Sequence, residues 1–85
     1  MKTVYYTDAW EHEFGSRFEG YIVATSLDKL KIKKDQVESG GTPECYWRCG
    51  DIIEAQIEDI TYEELDKVDY TWVDNFKSFN IYKKL

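Results

Sequence analysis

The spacing of hydrophobic and polar positions changes several times along the 85 residues. Lys2 to Thr7 is rich in β-branched and aromatic types (Thr3, Val4, Tyr5, Tyr6, Thr7) and reads as a first strand. Asp8 to Gly20 sets charges among aromatics, and Phe14-Gly15-Ser16 reads as a turn. The continuous apolar run from Gly20 to Thr25 predicts a second strand in a central position. Leu27, Leu30 and Val37 then fall on one helical stripe, with Lys29, Lys31 and Lys33 turned away. Ser26 stands where an N-cap belongs, Asp28 suits the first turn, and Gly40-Gly41 is a stop signal. These features predict a helix over 27–38. Ile32 lies off the stripe, which allows an earlier end.

Thr42-Pro43 restarts the chain in extended form. Glu44 to Cys49 reads as a short strand, and Gly50-Asp51 as a turn that suits a hairpin. Two periods compete over 51–60. As a strand, Ile53, Ala55 and Ile57 face the core while Glu54, Gln56 and Glu58 face water. As a helix, Ile53, Ile57 and Ile60 stack, and Asp51 with Glu54 resembles a capping box. Dense isoleucine and regular alternation favour the strand. Thr61 then caps a short helix with Glu64 at the capping-box position, burying Leu65 and Val68. Asp69 to Asn75 reads as a loop carrying Tyr70, Trp72 and Val73. Phe79 to Tyr82 reads as a last strand, with Lys83-Lys84 as a solvated end.

The resulting order is β, β, α, β, β, short α, β. It predicts one α+β domain spanning 1–85. An antiparallel sheet carries one main helix packed on one face and a short second helix. The other face is expected to be less covered, lined by surplus aromatics and carboxylates.

Charge sharpens this picture. Asp51 to Asp69 holds eight carboxylates against Lys67, a net −7, whereas the whole chain carries −6. Essentially all the net charge therefore sits in one segment. A pI near 4.7 argues against direct contact with nucleic acid or an anionic membrane and favours a basic partner. No apolar run approaches the ~18 residues of a membrane span. The N-terminal MKTVYYTDAW lacks a signal-peptide core, and two cysteines fit a reducing cytosol, so a cytoplasmic protein is expected.

Aromatic residues make up 16% of the chain; a small core needs large side chains, and some of these rings are expected at the surface, where they suit a binding patch. Tyr46-Trp47-Arg48 combines types enriched at binding hot spots. The partner-binding residues expected are Glu54, Glu58, Asp59, Glu63, Glu64 and Asp66 for charge, with Trp47, Tyr70 and Trp72 as anchors. A second copy of the chain is one candidate partner. Faithful imitation of duplex DNA is not expected. A duplex carries one charge per ~1.7 Å, and the strand over 51–59 offers roughly one per 7–9 Å.

Signals for catalysis are weak. His12 has carboxylates beside it, but Glu11 and Glu13 point to the opposite face of a strand, and only Asp8 shares its side. Cys45 and Cys49 are about 13 Å apart along a strand, too far for a disulfide. Their spacing is not a zinc pattern, and no metal or cofactor is expected. No serine lies in a nucleophile context, and no phosphate-cradling loop is present.

In composition the chain resembles the small, acidic, aromatic-rich proteins of phages and mobile elements that inhibit host defence, anti-CRISPR proteins among them. That resemblance implies a non-enzymatic inhibitor docking on a basic, nucleic-acid-binding surface of a host protein. The alternatives are an immunity or antitoxin protein neutralising a basic toxin, and a small metal-dependent enzyme using His12 and carboxylates.

Overall fold

A computed structural model describes the backbone of residues 1–12, 16–40, 46–73 and 82–83, and the side chains of 1–11, 20–40 and 46–73. The first strand, β1, runs from Lys2–His12, well past Thr7, and the rest of the sheet is laid against it. β2 (Ser16–Ala24) pairs with it antiparallel on one side. α1 (Leu27–Ser39) follows, then β3 (Tyr46–Cys49), β4 (Ile53–Ile57), α2 (Asp59–Asp66), β5 (Thr71–Val73) and β6 (Tyr82–Lys83). Five strands lie in the order β5-β2-β1-β4-β6, and β3 joins β1 beside β4. The architecture is α+β with an antiparallel sheet, in the order β, β, α, β, β, α, β, β.

β3 and β4 do not form the hairpin that Gly50-Asp51 suggested. Both pair with β1, β4 along Lys2 to Tyr6 and β3 along Ala9 to His12. Between these stretches Gly50, Asp51 and Ile52 stand opposite Thr7 and Asp8, so one residue is extra and the path bulges. The groups at the bulge are satisfied locally. The buried Thr7 hydroxyl donates to the Gly50 carbonyl at 2.9 Å, and the Gly50 amide donates to the Asp8 carbonyl at 3.1 Å. On the other side of β1 the register with β2 also slips, between Ala9↔Gly20 and Trp10↔Phe18. β1 is thus flanked by two irregularities at nearly the same height, where local twist increases.

Within 51–60 the strand reading holds over Ile53–Ile57, while Glu58 caps α2 and Asp59 and Ile60 belong to it. Ile53, Ala55 and Ile57 pack with Val4, Tyr6, Val23 and Val73 on one face of the sheet. α2 covers that face through Leu65 and Tyr62. α1 covers the opposite face, where Leu30 packs with Ala9, Ile22 and Ala24, and Val37, Trp47, Cys49 and Ile52 close around them. Both faces are therefore covered, and the expectation of one poorly covered face is corrected.

Ser26 caps α1 as expected: its hydroxyl accepts from the Lys29 amide at 3.1 Å. The helix does not end early at Ile32, which points to solvent at 59% exposure. It continues because Leu30 and Val37 hold both halves against the sheet. Gly40 terminates it in extended conformation, φ −83°, with its amide on the Val37 carbonyl.

α2 starts two residues before the expected cap. Glu58 is its N-cap, without a side-chain bond, and Thr61 lies inside the helix. Tyr62 and Leu65, one turn apart, pack on the sheet. The helix then stops at Asp66, which leaves Val68 46% exposed rather than buried. Residues 71–73 are a strand on β2 and not part of a loop. The Phe14-Gly15 turn, the Thr42-Pro43 restart and most of the 79–82 strand lie outside the described residues. No helix among the described residues is long and apolar enough to cross a membrane.

Candidate functional site

The bulges shape the face under α1. Gly20 sits in β2 with φ +155°, a conformation that L side chains rarely adopt. It pairs with Ala9, so two small residues lie side by side on the sheet. Trp72, from β5, rests on this spot: a Cβ on Gly20 would come within 2.8 Å of its indole Nε1. Trp47, from β3, reaches the same place from the other side. The two indole rings meet edge to face, centroids 5.7 Å apart at 86°.

α1 supplies the third wall. Val37 and Lys33, one turn apart, face the indoles, and Tyr70 closes the rim ahead of β5. Among the described residues, these line a hollow of about 420 Å³, within the usual range for small-molecule sites. Lys33 Nζ lies 4.0 Å from the centre of the Tyr70 ring, a cation–π contact. A smaller hollow of about 170 Å³ adjoins it, lined by Lys29, Ile32, Lys33, Gln36, Asp69 and Tyr70.

The structure thus brings together Trp47, Tyr70 and Trp72, which the sequence nominated by residue type. It places the nominated carboxylates elsewhere. Glu54 alternates with Ile53 and Ala55 and so points to the α1 face of the sheet, across from α2. Glu58, Asp59, Glu63, Glu64 and Asp66 belong to α2 or its cap, and all are exposed. Asp59 meets the Met1 amine at 3.2 Å. Asp66 accepts from the Thr25 hydroxyl at 2.7 Å and lies 3.7 Å from Lys29 Nζ, tying α2 to the start of α1. Among the described residues, Glu58, Glu63 and Glu64 have no cationic partner. Ile60, 66% exposed, stands on α2 beside Glu63 and Glu64 at i+3 and i+4. The aromatic hollow and this acidic helix lie on different sides of the sheet.

Sequence reasoning did not nominate Lys33 or Val37. Their i, i+4 spacing on α1 was the available signal, but Lys33 read as a solvated lysine. Arg48 turns away from Trp47, with its guanidinium 5.1 Å from the centre of the Tyr46 ring. Cys49 is a free, half-buried thiol. Burial, then Glu38, pushes its pKa up to about 11; Lys34 opposes them and Asp8 adds a smaller upward push. A thiol held protonated in this way is a poor nucleophile. The side chains of His12 and Cys45 lie outside the described residues. Among the described residues no three His, Cys, Asp or Glu side chains converge to hold a metal ion.

No protein-family model matches the chain, and no curated protein or solved structure matches it.

Proposed function

We propose that this is a non-enzymatic binding protein whose acidic α2 surface docks on a basic, nucleic-acid-binding surface of a protein partner. The observation that carries this reading is the setting of Ile60. An exposed isoleucine stands beside Glu63 and Glu64, neither of which has a cationic partner among the described residues. A partner lysine or arginine would pair with these carboxylates, while the isoleucine supplies the apolar centre of the contact. The uncompensated charge would steer encounter and speed association, with an advantage that fades as salt rises. An anti-defence inhibitor of the phage type and an immunity protein against a basic toxin would use the same surface chemistry.

The test is affinity capture from a host lysate at about 50 and 500 mM salt, with the captured protein identified and rebound in purified form. Glu63→Lys with Glu64→Lys is expected to weaken binding by at least about tenfold, or 1.4 kcal/mol. Glu38→Lys, on α1, serves as a charge control and should have little effect. Duplex DNA should compete with the protein for its partner. Binding indifferent to the α2 substitutions and to DNA would refute the reading.

A further inference from the structure

The aromatic hollow calls for a different occupant from the acidic helix. Its walls are two indoles, a phenol and Val37, so they favour a flat apolar body. Among the described residues that line it, only Lys33 is ionised and none is a carboxylate. Two of the other three lysines of α1 are compensated: Lys29 pairs with Asp66 and Lys34 with Glu38 at 3.9 Å, while the exposed Lys31 is not among the lining residues. Among the described residues Lys33 has no carboxylate partner and rests on the Tyr70 ring. A π face orients a cation without neutralising it. The adjoining hollow places Asp69 near Lys29 and Lys33, which opposes a second negative charge on any ligand.

We infer that the hollow is a binding site for a planar aromatic molecule carrying one negative charge, with the ring held against Trp47 and Trp72 and the anion set on Lys33. This site lies apart from the acidic α2 surface, and either can fail without the other.

The experiment uses 1-naphthoate as probe, with neutral 1-naphthamide and cationic 1-naphthylmethylammonium as controls. Binding is followed by NMR of the tryptophan indole N–H signals. Naphthoate should shift the Trp47 and Trp72 signals, with Trp10 serving as internal reference. It should bind about tenfold more tightly than the amide, and the ammonium compound more weakly still. Lys33→Gln should remove the preference for naphthoate over the amide, the two then binding with equal affinity. This substitution alters a partly exposed side chain on a helix, so the fold is expected to survive. Equal affinity for naphthoate and amide would overturn the inference, as would a preference that persists in Lys33→Gln. So would naphthoate that leaves the Trp47 and Trp72 signals still up to its solubility limit.

Discussion

Gly20 shows how one residue without a side chain sets the geometry of a site. Its φ of +155° is strained for any L residue, and its missing Cβ leaves the space that the Trp72 indole and the Val73 carbonyl occupy, at 2.8 and 2.9 Å. Gly20→Ala is expected to destabilise the protein by about 2–4 kcal/mol, since backbone strain and overpacking act together. Urea unfolding measures this, and a loss under about 0.5 kcal/mol would show that β2 and β5 separate easily. Gly50 makes a useful contrast. A Cβ there would meet the Asp8 carboxylate, a side chain with freedom to swing aside, rather than backbone. In the sequence Gly20 merely opens the apolar run GYIVAT and looks like a strand start. Its position within a strand, beside a register slip, depends on pairing with β1 and leaves no local mark. The same is true of the meeting of Trp47 and Trp72. Residue type nominated each of them, but only the pairing order brings them together.

At the scale of elements, the two helix starts separate local from tertiary causes. Ser26 caps α1 through a bond to a residue three positions away, so the cap was legible from a short stretch of sequence. Thr61 and Glu64 offered a similar local signal, yet α2 begins at Asp59. The local capping signal did not set that start: Tyr62 and Leu65 pack on the sheet from a helix already begun at Asp59, and buried apolar surface outweighs one capping bond. Accordingly Ser26→Ala should cost about 1 kcal/mol, whereas Thr61→Ala should cost well under half of that. Chemical denaturation of the two variants compares them directly, and equal losses would place a working cap at Thr61. The strands divide in the same way. β4 was legible because Ile53, Ala55 and Ile57 alternate with polar residues. β5 was not, because its three residues, Thr71–Val73, are a strand only by virtue of pairing with β2. The β3–β4 bulge was misread as a hairpin because a Gly-Asp pair marks a bend without saying which strand each side will join.

The whole molecule is elongated, with extents of 41 × 21 × 20 Å, and the 11-residue β1 runs through its sheet. Each face of the sheet contributes a weak acid to its hydrophobic layer. Tyr6 lies in the layer under α2, and burial, then Tyr21 and Asp8, raises its pKa above the ordinary 10.0. Cys49 lies against the layer under α1, raised from 9.0 to about 11. Both groups are neutral in the folded state at neutral pH. As pH climbs past 9 the unfolded chain gives up its Cys49 proton first, so the folded state binds more protons and stability falls with rising pH. The loss from Cys49 develops between about pH 9 and 11, and Tyr6 extends it from about pH 10 upward. Urea midpoints measured from pH 8 to 10.5 should therefore decline, while a Cys45→Ser background keeps the second thiol out of the titration. Adding Cys49→Val removes one of the two acids and fills a similar volume. The decline between pH 9 and 10 should then become shallower, with the steeper fall above pH 10 retained. An unchanged slope in that variant would mean that the Cys49 thiol ionises alike in folded and unfolded chains, and that water reaches it through the layer closed by Trp47, Val37 and Ile52.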